Sequence, residues 1–241
     1  MIGGVQQVGH AEHSCLLCAL VHKDGDFHHV AINPFFVASA TDMAACASID
    51  RHPVNLEEEM AKRALIVVDL QNEYGADGKL PLERLDQAVA NAKRVIGAAR
   101  DAGEAIIHIR HETPGSDVGP FAVGSNGTHI IEAVAPIDGE TVLTKQYPNA
   151  FRDTGLKVLL EEGGVEDIVL VGAMSHMCID ATARAAFDFG HGVTVVGDAC
   201  ATRALSIDGV EVPAAQVHAA FMAALAFAYG SVMSTADFLS A

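Results

Sequence analysis

From residue 64 onward one pattern recurs: a short unbroken apolar run, a polar or Gly-containing loop, then a longer stretch with apolar residues at helical spacing. The runs "ALIVVDL" (64–70), "AIIHIR" (105–110), "TVLTK" (141–145), "DIVLVGA" (167–173) and "GVTVVGDA" (192–199) read as strands, with "GSVMST" (230–235) a weaker sixth. A strand without polar alternation has to be covered on both faces. The intervening stretches 82–103, 154–164, 177–190 and 213–230 carry helical periodicity and end on Gly. Strands alternating with helices imply a parallel sheet with helices on both faces, a three-layer Rossmann-like α/β arrangement. Ligands of such sheets bind beyond the carboxyl ends of the strands. That rule directs attention to Asp69, the stretch from Arg110, Lys145, the segment 174–178 and Asp198.

With 241 residues, half of them apolar, the chain can bury a full core in one domain. The net charge of −16 is spread along the chain, so no basic stripe exists to follow a phosphate backbone, and nucleic acid is excluded as an expected partner. Five cysteines form no even disulfide framework, no leader with a small-residue cleavage site opens the chain, and no apolar run approaches the ~18 residues that cross a bilayer. A cytoplasmic setting without membrane attachment is the expectation.

Residues 1–59 show no sustained period and are expected to be an N-terminal extension, either disordered or a misread start, ahead of a domain at 60–241. Glu codons are purine-rich, so "EEE" ahead of Met60 reads as a ribosome-binding site translated as protein, and Met60 as the biological start. Such a segment is expected to be dispensable; the competing reading is that the apolar "VAINPFFVAS" (30–39) docks on the domain. The "HSCLLC" stretch, with His10, His13, Cys15 and Cys18, has a single Cys-x-x-C and no second pair, which is a weak zinc signal.

Three strand ends supply an acid, a cation and a thiol. Cys178 stands at the first turn of the 177–190 helix, where unpaired N–H groups and the helix dipole favour thiolate; as a lone Cys it is equally a small buried hydrophobe. Asp69 either caps the following turn or projects into the cleft, and Lys145 ends "TVLTK" in the same topological position, where a solvated strand-end lysine is the plain reading. Any one of the three is weak evidence, whereas together they make a constellation.

The segments "VVDLQNEY", "LTKQYPNAF" and "GAMSHMCIDATARAA", in this order and spacing, resemble the signature segments of the isochorismatase-like cysteine hydrolases over residues 61 to 240. The resemblance implies a six-stranded parallel sheet flanked by helices. It implies Cys178 as nucleophile, Asp69 as general base and Lys145 as the cation holding both in their charged states. A cis peptide would fall at Ala173–Met174 and aim the Met174 and Cys178 amides at one point as an oxyanion hole. Gln71, Tyr74 and Phe151 match substrate-binding positions, although a loop hydrogen bond for Gln71 and ordinary packing for the two aromatics explain them as well. A homo-oligomer, dimer or tetramer, burying part of the apolar "AAFMAALAFAYG" near the carboxyl end is also implied.

Nicotinamidases of this family carry an Asp-x-His…His metal site after the second strand. Here "HIRHETPGSDVGPF" has His108, His111 and Asp117 without that spacing, so neither a metal nor any other cofactor is expected. The expected activity is metal-independent hydrolysis of a C–N bond in a small-molecule amide through a thioester. The alternatives are isochorismatase-type vinyl ether hydrolysis, which does not use the cysteine, and a non-catalytic binding or thiol-redox protein on the same scaffold. "GSNGTHI" (124–130), lacking the phosphate-loop Lys, reads as a turn at the cleft rim, and Asp180 with Arg184, four apart, as a surface ion pair.

Overall fold

The computed structural model describes residues 62–115 and 118–241. The extension, Met60, the "HSCLLC" stretch, the 30–39 segment and Asp117 lie outside the described residues. Six parallel strands form one sheet in the order β3-β2-β1-β4-β5-β8. They are β1 (Lys62–Val68), β2 (Ala105–His111), β3 (Thr141–Lys145), β4 (Val165–Ala173), β5 (Gly192–Ala201) and β8 (Ser231–Met233). The helices are α1 (Leu85–Asp101), α2 (Leu156–Glu162), α3 (Asp180–Asp188), α4 (Ala214–Ala228) and α5 (Thr235–Phe238). The pattern of alternating strands and helices thus locates every strand of the main sheet. It misses a separate antiparallel hairpin, β6 (Leu205–Ile207) with β7 (Val210–Val212), whose two short strands leave Ile207 and Val210 exposed. Three-residue strands are too short for any period to register.

β1 is central, and its residues Ala64 to Val68 are at most 1% exposed. Ala64, Ile66 and Val68 pack into one core with Leu156 and Leu160 of α2, Ala183 and Ala186 of α3, and Met222 and Leu225 of α4. Leu65 and Val67 pack on the other face against α1. Burial of each such aliphatic side chain contributes about 2 kcal/mol, an upper estimate for any real unfolded reference. α1 buries Leu85, Ala88, Val89, Ala92, Val95, Ile96 and Ala99, a single stripe at three- and four-residue steps. Asp86 in its first turn and Arg100 in its last complement the helix dipole, and Gly103, at φ 69°, ends it in the left-handed conformation. Among the described residues no helix is long and apolar enough to cross a membrane.

Gly172 controls how closely the two central strands meet. It pairs with Val68 where the register of β4 on β5 shifts, its φ is 132°, and a Cβ there would stand 2.0 Å from the Val68 carbonyl oxygen. Only glycine permits this approach, which sets the ends of β1 and β4 beside each other. Gly172→Ala is therefore expected to lower stability by about 3 kcal/mol, measured as the midpoint of urea unfolding. An unchanged midpoint would mean that the strand ends tolerate separation.

Candidate active site

The four strands β3, β2, β1 and β4 are neighbours, and each delivers one polar group at its carboxyl end. Period-two alternation sets Leu143 and Lys145 of β3 on one side, and Ile107, Ile109 and His111 of β2 on the same side. His111 and Lys145 are direct register partners. Continued alternation along β1 would send residue 69 to the α1 side with Leu65 and Val67. Instead Asp69 adopts φ 51°, a left-handed conformation that Asp tolerates, and the alternation ends there. The Asp69 N–H still donates to the Ile109 carbonyl at 2.9 Å. After β4 the Ala173–Met174 peptide is cis, as the resemblance implies. Ser175–Ile179 then form a wide π turn that leads into α3. Cys178 sits in that turn, ahead of the α-helix and not in the first turn of one.

These pieces meet at the Lys145 ammonium. Nζ lies 2.7 Å from Asp69 Oδ2, 3.2 Å from Cys178 Sγ and 3.0 Å from His111 Nδ1. Asp69 and Lys145 are shielded from solvent, Cys178 is 5% exposed, and His111 is half-buried. Burial opposes the charge on Lys145, yet its pKa is raised, the Asp69 carboxylate leading the groups that oppose burial, so it is a cation. Burial, and then Asp69, push the Cys178 thiol up, with Lys145 pulling the other way. Burial and Asp69 thus favour the protonated sulfur, against the activation expected from a helix dipole. Among the described residues Asp69 Oδ1 is buried without a hydrogen-bond partner, while Oδ2 faces the Lys145 ammonium as an ion pair, so Oδ1 is an acceptor open to that proton.

Asp69, His111 and Cys178 hold their donor atoms within 4.8 Å of one another, a set chemically suited to zinc. The Lys145 ammonium already stands at hydrogen-bonding distance from all three, in the position a metal would need. His108, the other histidine of the metal comparison, is fully buried and pairs with Glu140 at 2.9 Å, while Arg100 pairs with the same carboxylate at 2.7 Å. The Arg100 hydrogen bond, acting against burial, helps hold Glu140 at about 2. This is a brace between β2, α1 and the start of β3, away from the cluster.

The proposed pocket residues differ in what they do. Gln71 is fully buried, and its carboxamide is spent on backbone: it donates to His111 O and Thr128 O at 2.9 Å and accepts from His111 N–H at 2.8 Å. It ties the end of β2 to the loop, which is the loop hydrogen bond weighed for it. Tyr74 is 2% exposed and meets Phe121 edge-on at 5.2 Å; Phe121 in turn meets His111 at 5.1 Å. Phe151 packs with Phe189, in the same core as Cys178. Residues 124–130 form the expected turn, with Asn126–Thr128 as one 3-10 turn rimming a cavity of about 530 Å³. Asp198 serves structure, its Oδ1 accepting from the Thr235 N–H at the start of α5. Arg184 donates to Asp180 at 2.9 Å, the expected ion pair. A second cavity, about 350 Å³, lies beyond β5 and β8 and is lined by Arg84, Thr202, His218 and Met222 among others; neither cavity includes Asp69, Lys145 or Cys178. The turn bearing Cys178 is anchored beside it by Ser175 Oγ with His218 Nδ1 at 2.8 Å and His176 Nδ1 with Thr202 Oγ1 at 2.6 Å.

His111 is the member of the cluster that sequence reasoning left without a role. Its signal was present: two residues beyond Ile109, it continues one face of β2, but polar Arg110 marked the strand's apparent end.

Comparison with known proteins gives a consistent picture. The isochorismatase domain profile matches residues 63–237. An uncharacterised isochorismatase family protein of Bacillus subtilis is 44% identical, covering 73% of this chain and 98% of the relative. The maleamate amidohydrolase of Pseudomonas putida is 34% identical over 59% of this chain and 73% of its own length. The crystal structure of an isochorismatase from Pseudomonas putida superposes with a TM-score of 0.69 at 40% identity, covering 73% of this chain and 91% of that one.

Removing Lys145 should leave the Asp69 carboxylate buried and unpaired. Lys145→Met is expected to cost about 3–5 kcal/mol, read from urea unfolding, and Asp69→Asn added to it should recover much of the loss. A Lys145→Met protein as stable as the parent would show that the ion pair is not shielded from water.

Proposed function

Because the chain belongs to the isochorismatase family and is a hydrolase of that family, we propose that it cleaves a C–N bond of a small-molecule amide without a metal, through a thioester on Cys178. The observation that carries this reading is the buried Lys145 ammonium within 2.7 Å of Asp69 and 3.2 Å of Cys178. The maleamate amidohydrolase among its relatives supports the same bond type.

In the proposed reaction Asp69 Oδ1 takes the thiol proton as Sγ attacks the amide carbon, and the carbonyl π electrons move to oxygen. The Met174 and Cys178 amides receive the oxyanion, a donor being worth about 3 kcal/mol in such a hole. Collapse of the tetrahedral adduct expels the amine, which leaves with the proton from Asp69. Water then gives its proton to Asp69 and attacks the thioester, and the thiol regains its hydrogen as the acid departs. Lys145 stays a cation throughout and balances whichever of the thiolate and the carboxylate is charged. Tyr74, Phe121 and Phe151 supply the aromatic surroundings, and Gln71 holds the wall in which His111 sits.

Cys178→Ala, Asp69→Asn and Lys145→Ala are each expected to abolish turnover, because the three act as one proton-transfer unit. Incubation with a set of small amides should yield an acyl adduct on Cys178 by mass spectrometry, and exhaustive chelation should leave the rate unchanged. Near-parental activity of Asp69→Asn would sink the mechanism; loss on chelation with recovery on zinc would restore the metal reading.

The assembly belongs to the same proposal. No residue of α4 carries a formal charge, and Phe227 on its outer side is 91% exposed, with Phe187 and Phe189 at 47% nearby in the chain's α3 region. A helix whose only polar side chains are Gln216 and His218, both in its first turns, is ordinarily covered over the rest of its length. A second copy of the chain is the proposed cover. Light scattering at micromolar concentration should show an oligomer that Phe227→Glu dissociates; a monomeric parent protein would remove the idea.

A further inference from the structure

His111 has no part in the reaction written above, yet it is as close to Lys145 as the two proposed reacting groups are. An ammonium has three N–H donors and no acceptor. Three acceptors stand close to Lys145 Nζ: Asp69 Oδ2, as an ion pair at 2.7 Å, Cys178 Sγ at 3.2 Å and His111 Nδ1 at 3.0 Å. Since Lys145 is the cation, the imidazole accepts, and an Nδ1 acceptor puts the ring hydrogen of a neutral histidine on Nε2. Among the described residues Nε2 has no protein partner.

We propose that His111 is a positioning residue for the Lys145 ammonium: a neutral imidazole, accepting through Nδ1, that fixes Nζ between Asp69 and Cys178. The inference rests on Cys178 being the nucleophile of the proposed function. It assigns His111 a role opposite to the one a cysteine–histidine pair suggests. A general base must have a lone pair free for the thiol proton. The ring nitrogen that faces the cluster is already engaged by a cation, while Asp69 Oδ1 is buried and unpartnered. The base is therefore the carboxylate, and the imidazole is a strut.

Two neighbouring strands build the strut in. The His111–Lys145 register pair fixes the two backbones. Gln71 clamps both the N–H and the carbonyl of His111, and Phe121 abuts the ring edge-on. A side chain held this closely can keep the tip of a long, otherwise flexible lysine in one place, which costs less than ordering it at the moment of reaction.

The groups facing His111 are Lys145 from β3, Asp69 from the end of β1 and Cys178 from the turn after β4; Phe121 from the following loop is uncharged. Burial first, then Lys145, hold His111 below its usual 6.5, with Asp69 opposing. The folded state thus favours the neutral ring. Its contribution is fully present above 6.5 and is lost as pH falls below that value toward the folded pKa, because protonation turns Nδ1 into a donor aimed at an ammonium.

Iodoacetamide alkylation of Cys178, followed by peptide mass spectrometry on the full chain across pH, tests this without any substrate. Near pH ~8, His111→Leu should alkylate about ten-fold more slowly than the parent, from loss of a charge-assisted hydrogen bond that organises the cation beside the sulfur. His111→Asn, whose Oδ1 accepts from nearly the same place, should keep most of the rate. The parent should lose reactivity as His111 protonates below 6.5, a limb that His111→Asn lacks. A His111→Leu protein with the parental rate and pH profile overturns the proposal. If that variant does not fold, nitrogen-15 NMR of the parent ring decides: the Nε2–H tautomer at neutral pH is expected, and an Nδ1–H ring or an imidazolium overturns the assignment. If no amide is turned over while these results hold, the hydrolytic reading fails and the His111 role stands.

Discussion

One buried ammonium sets the requirements that the rest of this fold meets. Removing a lysine cation from water costs several kcal/mol, and only close, correctly placed acceptors offset it. Lys145 obtains them from three separate segments: the end of β1, the end of β2 and the turn after β4. No local stretch of chain could supply all three. The parallel sheet can, because it aligns the carboxyl ends of four consecutive neighbours, β3, β2, β1 and β4, within reach of one point. Gly172 brings the central pair together, and the left-handed turn at Asp69 points a carboxylate where strand alternation would not.

The same burial that makes the ion pair strong makes the thiol quiet. Burial raises Cys178 more than the adjacent cation lowers it, which favours a protonated sulfur beside a carboxylate oxygen that, among the described residues, lacks a hydrogen-bond partner. This fits general-base activation at the moment of attack better than a stored thiolate, and it explains how a cysteine among Phe151, Ile179 and Ala183 can be kept from indiscriminate oxidation.

The fold was legible because its signals are local and repeated: unbroken apolar runs, helical stripes such as that of α1, and glycines at helix ends such as Gly103. The strand-end positions of Asp69, Lys145 and Cys178 were legible for the same reason. Their mutual distances were not, since these depend on strand order. His111 escaped because its role is set by a register across two strands, which leaves no trace within either one. The sequence from Met177 reads as ordinary helix, so the π turn at Ser175–Ile179 leaves no separate signal, and the short β6–β7 hairpin goes unread because it carries too few residues to show a period. Gln71 reads in sequence either as a pocket position or as a loop hydrogen bond, and its carboxamide bonds three backbone groups, two at His111 and one at Thr128, that lie far from it in the chain.

An ammonium in place of a metal has a chemical consequence for the proposed reaction. A metal ion with an open coordination position can polarise a carbonyl directly. Lys145, with Asp69, Cys178 and His111 all within 3.2 Å of Nζ, is held inside the cluster and acts in the proposed reaction through its charge. Whatever receives the developing oxyanion must then lie elsewhere, close to the attacking sulfur and rigid before substrate arrives. The turn bearing Cys178 meets both conditions: it follows β4, whose last six residues are buried, and Ser175 and His176 tie it to His218 and Thr202. Fixing the cation and the donors on different elements separates two tasks, balancing the proton-transfer charge and stabilising the adduct. A change in one can then leave the other in place.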